Sequence, residues 1–204
     1  MIKQIFPINI YSVKSELDLS NVIQNLEQEE IYIQKNADDL EQQFGLRSKE
    51  TYLLNKSIYE ELKIWIEHHL HIYAKEYMGW QFEHIKITQS WISIKKPDQS
   101  HNIHRHPNSL ISGVFYWQDN VESMYFKRPD ILNMFQPQQD ETLYYKEYES
   151  FKPEKYSLIL FPSYLEHFVG INRSNFNRYC LPFNSMIFGK IGYENLLNEL
   201  KINE

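Results

Sequence analysis

A chain of 204 residues, 42% hydrophobic and 15% aromatic, can bury one sizeable core, which excludes a disordered protein and fits a single domain. Its formal net charge of −6 excludes the broad basic surface of a general nucleic-acid binder. The one cysteine, Cys180, rules out an internal disulfide framework, and with no apolar leader and no apolar run of membrane-spanning length the chain reads as cytoplasmic, with no membrane partner.

After one strand, the N-terminal part reads as helical. Met1 to Tyr11 reads as a strand interrupted by Pro7. From Asp18 to Asn36 the apolar residues Leu19, Val22, Ile23 and Leu26 fall at helical spacing, with Asp18 or Ser20 as the N-cap. Residues 37–56 are polar and irregular. Ser57 to Met78 carries the clearest helical pattern: Ile58, Leu62, Trp65, Ile66, Leu70, Tyr73 and Tyr77 form one stripe. Ser57 and Glu60 have the spacing of a capping box, and Gly79 is placed to stop the helix. Both stripes need burial, so residues 1–80 are expected to support the rest of a single 1–204 domain.

After Gly79 the period changes from helical to two. His84 to Lys95 alternates, with Ile85, Ile87 and Trp91 expected on one face. Further strands are expected over 102–106, 110–117, 121–126, 157–161, 166–171 and 178–188. Seven short strands in succession suggest a rolled antiparallel sheet spanning 81–190, mostly β and of the jelly-roll kind. Residues 127–155 read as a long excursion from that sheet, and 193–204 as a short terminal helix.

Chemistry concentrates in a few histidines. His104 and His106 stand two apart in HNIHRHPNS, so on a strand they share a face, and two converging imidazoles suit a transition metal. A histidine-rich turn in solvent is the bland alternative for that pair alone. His167 follows an apolar strand and a Pro-Ser turn, and a jelly roll would bring its strand beside the earlier one, completing a three-point site. Arg178, eleven residues on, is expected on a strand adjacent to that of His167, facing inward to grip a small dicarboxylate as a bidentate pair. His101 stands at an odd offset from His104 and is expected on the opposite face. His68, His69 and His71 lie on the long helix with a packing or solvated role, and His84 opens a strand. Ser109 and Ser112 are small polar residues near the metal strand, and Gly113 suits a close backbone approach.

The segments WISIKKPDQSHNIHRHPNSLISGVFYW and LILFPSYLEHFVGINRSNFNRYCLPFN resemble a bacterial and phage family of iron(II)/2-oxoglutarate oxygenases. The shared pattern is a tryptophan strand, H-x-H-P-x-S running into S-G-V-x-Y, then L-F-P-S-x-x-x-H followed by an arginine and F-N, over about residues 91–184. The resemblance implies a double-stranded β-helix, cupin-like in its jelly roll and buttressed by helices. It implies Fe(II) as the metal and 2-oxoglutarate as co-substrate. His104 and His167 map to the ligand histidines, and Arg178 to the anchor of the co-substrate carboxylate. The activity implied is hydroxylation of a small-molecule or peptidyl substrate, with decarboxylation of 2-oxoglutarate to succinate.

Two departures accompany it. His106 occupies the place of the usual carboxylate ligand, so either three histidines bind the metal or water fills that position. The serine that often follows the arginine by two is here Cys180. Tyr116 and Asn184 fit the pattern as further pocket residues, Trp91 likewise, with an aromatic core and a turn amide as their plainer readings. Two other readings stay open: a three-histidine cupin enzyme that uses no 2-oxoglutarate, and a non-enzymatic metal-binding module. A homodimer is compatible with all three.

Overall fold

Alternation along the strands sorts their side chains between two cores, and that sorting decides what reaches the site. In the computed structural model, which describes residues 7–32, 45–119, 121–129 and 146–203, the elements run β1 (Tyr11–Lys14), α1 (Ser20–Leu26), β2 (Ile31–Tyr32), β3 (Leu46–Ser48), α2 (Glu60–Ile72), β4 (His84–Ser90), β5 (Ser93–Lys95), β6 (His101–His104), β7 (Ile111–Tyr116), β8 (Met124–Lys127), β9 (Tyr148–Phe151), β10 (Ser157–Pro162), β11 (His167–Val169), β12 (Arg178–Ile191) and β13 (Leu200–Ile202). A large antiparallel sheet has the order β1-β10-β7-β12-β5-β3-β2, with β4 and β13 also paired to β12. A small sheet has the order β6-β11-β8-β9.

The outer core lies between the large sheet and the helices. Ile111, Phe115, Leu158, Leu160, Leu181 and Phe183 meet Leu62, Ile66, Leu70 and Tyr73 there. The alternate residues of the same strands, Val114, Tyr116, Ile159, Phe161 and Cys180, form an inner core with Met124 and Phe126 of the small sheet. This is the double-stranded β-helix expected, with the helices as its buttress. Gly113 stands where the outer core is tightest: a side chain there would run into the Phe183 ring and Leu160.

All seven strands read from the sequence are present, but the first is broken in two. Opposite β12, Asn184 pairs with Gln89 and Ser185 with Ile87, so Thr88 is an extra residue. A bulge of this kind reverses the phase of alternation. Ile85 and Ile87 point to the outer core before it, and Ile92 and Ile94 point there after it. Trp91 therefore does not share a face with Ile85 and Ile87, as simple alternation suggested. It lies instead near His106, ring centroids 6.3 Å apart.

Other expectations need correction. The first strand starts at Tyr11 and pairs with β10; residues 1–6 lie outside the described residues. The first helix ends at Leu26, and the chain enters β2 at Ile31, where Ile31–Tyr32 pairs with β3; residues 33–36 lie outside the described residues. β3 falls within the stretch read as irregular, and of the 127–155 excursion the described part includes β9 paired with β8. Ser57–Tyr59 forms a tight turn with no side-chain cap, and α2 begins at Glu60, whose charge with that of Glu61 suits the helix N-terminus. Its stripe is narrower than expected, with Ile58 and Tyr77 half exposed. The helix widens at Tyr73–Tyr77, the Met78 N–H donating to the Tyr73 carbonyl, and Gly79 ends it at φ +69°. The helix read over 193–204 is reduced to one 3-10 turn, Glu194–Leu196; Gly192 before it and Leu197 after it, both at positive φ, fold the chain back so that β13 pairs with β12. Residue 204 lies outside the described residues.

Replacing Gly113 by Ala is expected to destabilise the protein by about 1–3 kcal/mol, read as a lower urea midpoint at unchanged slope.

Candidate metal centre

His104 and His167 face each other across the β6–β11 pair. The Nδ1–H of His104 donates to the Asn102 carbonyl and that of His167 to the Leu165 carbonyl, each at 2.8 Å. A ring that spends its Nδ1 proton in this way presents a bare lone pair at Nε2. His106 follows the end of β6, where its N–H donates to the Ser163 carbonyl, and its Nε2 lies 3.3 Å from Nε2 of His167. Two nitrogens bound at about 2.1 Å to one ion stand about 3–3.4 Å apart for octahedral or tetrahedral angles. The ligand atoms of all three lie within 4.8 Å of one another, so the triad could hold a metal ion.

The environment keeps the triad in its ligating, neutral form. Burial pushes the His167 imidazole down to about 3, with the neighbouring His104 adding to it, and burial pushes His106 down to about 4. His104 is lowered too, by burial first. Asn184 hydrogen-bonds the His106 ring, and the Ser112 hydroxyl donates to Asn184 Oδ1 at 3.3 Å. Ser112, Ser163 and Ser109 continue that chain of hydroxyls, with Ser112 to Ser163 and Ser163 to Ser109 both 2.8 Å. Asn184 thus sits against His106, at the metal end of the barrel.

Arg178 is buried and faces the interior, as expected, but by a different route. Its strand is not adjacent to that of His167: β11 pairs with β6 and β8 in the small sheet, whereas Arg178 pairs with Lys95 of β5 in the large one. The Nε and Nη1 of Arg178 have no hydrogen-bond partner among the described residues. A buried guanidinium with unmet donors suits a carboxylate held inside the barrel. Tyr116 is buried in the same interior, where burial first and then Cys180 push its phenol pKa up, against the lowering effect of the nearby Arg178 charge.

Two features escaped the sequence reading. His101 is not on the opposite face from His104. His104 pairs with His167 and His101 with Val169, three residues against two, and this irregularity brings the His101 ring into a stack on His104 at 4.3 Å. Burial first, then the Lys95 charge, depresses its imidazole strongly. Lys95 itself is fully buried beside Arg178. The only sequence signal for it was an in-phase triplet, Trp91, Ser93 and Lys95, within an otherwise apolar strand. His69 packs among Tyr11 and Trp65, its Nδ1 2.8 Å from the Tyr11 hydroxyl, away from the centre.

With this geometry established, residues 89–184 match the model of a family described as "Putative 2OG-Fe(II) oxygenase". Three solved structures share the fold. A 2OG-Fe(II) oxygenase family oxidoreductase from Burkholderia pseudomallei is 13% identical, with 86% of this chain and 84% of that one covered and a TM-score of 0.58. A prolyl-4-hydroxylase from Pseudomonas putida is 12% identical, with 88% and 94% covered and a TM-score of 0.58. HygX from Streptomyces hygroscopicus, solved with nickel, 2-oxoglutarate and hygromycin B, is 8% identical, with 87% and 82% covered and a TM-score of 0.59. No curated protein matches the chain. The matched segment holds His104, His106, His167 and Arg178, and the members of that family use Fe(II) and 2-oxoglutarate. Among the described residues no helix is long and apolar enough to cross a membrane.

The depressed imidazoles make stability depend on acid. An unfolded histidine takes up a proton near pH 6.5, whereas His106 and His167 in the folded protein resist it until about 4 and about 3. Unfolding therefore takes up protons in that window. The contribution is fully present above pH 6.5 and is lost as pH falls toward 3. The urea midpoint of metal-free protein is expected to drop between pH 7 and pH 4.5, and less steeply in His167→Asn.

Proposed function

We propose that His104, His106 and His167 ligate Fe(II), that Arg178 holds the distal carboxylate of 2-oxoglutarate, and that Tyr116 and Asn184 complete the co-substrate pocket of a single 1–204 oxygenase domain. The observation that carries this reading is the meeting, in one barrel interior, of three neutral imidazoles within ligating distance and a buried guanidinium whose Nε and Nη1 lack partners among the described residues. Bound there, Fe(II) with 2-oxoglutarate and O₂ supplies the oxidising power to convert a substrate C–H to C–OH, releasing succinate and CO₂.

The residues of the chain do the positioning. The carbonyls of Asn102 and Leu165 fix the rings of His104 and His167, so that both Nε2 atoms point to one place. Asn184 fixes His106, the third ligand, in the position where a carboxylate usually stands. Arg178 sets the distance between the anchored end of the co-substrate and the metal. Phe161 packs edge-on against His167 and Phe126 edge-on against Phe161, and together they keep bulk water from that side of the centre. An all-imidazole triad is also what a cupin enzyme without 2-oxoglutarate would present, but such an enzyme gives no work to a buried Arg178.

Anaerobic addition of 2-oxoglutarate to Fe(II)-loaded protein is expected to raise a weak visible charge-transfer band, and a metal-loaded protein that shows none would overturn the reading. His104→Ala and His167→Ala are each expected to weaken metal binding by more than about a hundredfold, beyond the cost of losing an outer contact. His106→Asp should keep the metal while His106→Ala loosens it. Equal metal affinity in wild type and His106→Ala would remove His106 from the ligand set.

A further inference from the structure

We propose that Ser109, Ser163 and Ser112 are positioning residues for the third metal ligand: with Asn184 they form one directed chain of hydrogen bonds that holds the His106 hydrogen on Nε2, and metal binding has to reverse that chain. The proposal rests on the reading of the three histidines as a metal centre and adds a control on the third of them.

Neutrality alone does not make an imidazole a ligand, because the nitrogen that faces the ion must also be bare. His104 and His167 meet that condition through the carbonyls that take their Nδ1–H. For His106 the partner is Asn184, whose amide offers an acceptor on one side and a donor on the other. Nε2 of His106 is turned to Nε2 of His167 at 3.3 Å, so Nδ1 is the nitrogen left for that amide. Which atom Asn184 presents therefore decides where the imidazole hydrogen sits.

The serines decide what Asn184 presents. Ser112 stands 3.3 Å from the amide, Ser163 2.8 Å from Ser112, and Ser109 2.8 Å from Ser163. The third side of that triangle, Ser109 to Ser112, is 3.5 Å and too long to compete. At the far end the Ser109 hydroxyl lies 3.1 Å from the Ile111 carbonyl and 3.2 Å from that of Ser185. Ser112 and Ser163 are fully buried, so these groups have to satisfy one another. Four links thus join the amide to a carbonyl, and three hydroxyls supply only three hydrogens.

Two complete orders exist. In the first, Ser109 donates to the carbonyl, Ser163 to Ser109 and Ser112 to Ser163, and the Asn184 amide N–H fills the remaining link. The amide then also donates to Nδ1 of His106, whose own hydrogen lies on Nε2, between the two rings. In the second, Ser112 donates to Oδ1 of Asn184, which also accepts Nδ1–H of His106; Nε2 is bare, and the link from Ser109 to the carbonyl is empty. The structure carries a piece of each: Asn184 turns Oδ1 to Ser112, as the second requires, while Ser163 donates to Ser109, as the first requires. Held together, those two bonds leave the 2.8 Å contact between Ser112 and Ser163 without a hydrogen, so the chain settles into one order or the other. The first makes one hydrogen bond more, and it places a hydrogen between two nitrogens whose lone pairs would otherwise face each other at 3.3 Å. It is the resting order of the metal-free protein, whereas metal binding needs the second. The chain holds back the third ligand by about the worth of one hydrogen bond, with no proton gained or lost.

The test uses the full chain with isotope-labelled histidine. Long-range proton–nitrogen correlation spectra read which ring nitrogen of His106 carries the hydrogen. It is expected on Nε2 in the metal-free wild type and on Nδ1 once Zn(II) is bound. In competition against a chelator, Ser112→Ala and Ser109→Ala are each expected to bind Zn(II) about threefold to tenfold more tightly than wild type, through loss of one opposing hydrogen bond. Both cut the same chain, so the double variant should gain no more than either alone. A role confined to packing predicts equal or weaker binding instead. The proposal is overturned if His106 already carries its hydrogen on Nδ1 before metal is added, or if neither serine variant tightens binding. Should Ser112→Ala fail to fold, Ser109→Ala, at the half-buried end of the chain, is judged by the same criteria. A wild type that binds no Zn(II) would sink the metal centre itself, whereas bound Zn(II) with either overturning result sinks only the serine chain.

Discussion

The pairing of β6 with β11 is the constraint on which the site depends. It sets His104 opposite His167, and each ring finds a carbonyl two residues back in the chain to which Nδ1–H can donate. No part of that arrangement needs a long loop or an induced movement. Backbone register places the Cα atoms, and local hydrogen bonds turn the rings. The two histidines lie 63 positions apart in sequence, so the pairing must be secured from elsewhere, and the inner core secures it. Phe161 and Phe126 pack on the His167 ring, and β8 holds the other edge of β11.

The barrel interior is electrically graded. At one end stand neutral imidazoles, kept neutral by burial, with an amide and a chain of serine hydroxyls behind them. Toward the large sheet stand two cations. A superfamily member with a carboxylate ligand would offset part of that charge at the metal. With His106 in that place the three candidate ligands contribute no negative charge. Metal and anion are therefore expected to bind with positive linkage, each neutralising part of the charge that the other site feels.

Most of the architecture could be read from period alone. Seven strands and the long helix were recoverable because their apolar residues repeat at 2 and 3.6 over several turns. The joint pattern of His104, His106, His167 and Arg178 survived because each lies at a strand end bounded by punctuation such as Pro107, Pro162 and the Asn172–Asn177 turn. What could not be read were the breaks in periodicity. Thr88 and the irregularity between His101 and His104 carry no residue that announces a bulge, and each reversed an assignment of face: Trp91 in one case, His101 in the other. The terminal segment failed for a different reason. Leu196, Leu197 and Leu200 fit a helical stripe, yet tertiary pairing with β12 claimed the end of it for a strand.

The single supernumerary residue opposite Asn184 and Ser185 has a wider consequence. Upstream of it the strand serves the seam between sheet and helices, and downstream it serves the interior. Each residue keeps the face of its partner on β12, so it is the unpaired Thr88 that allows Ile87 and Gln89, two apart in sequence, to face opposite sides. The same two-residue repeat thus supplies apolar side chains to the seam at one end of the strand and Trp91, Ser93 and Lys95 to the cavity wall at the other.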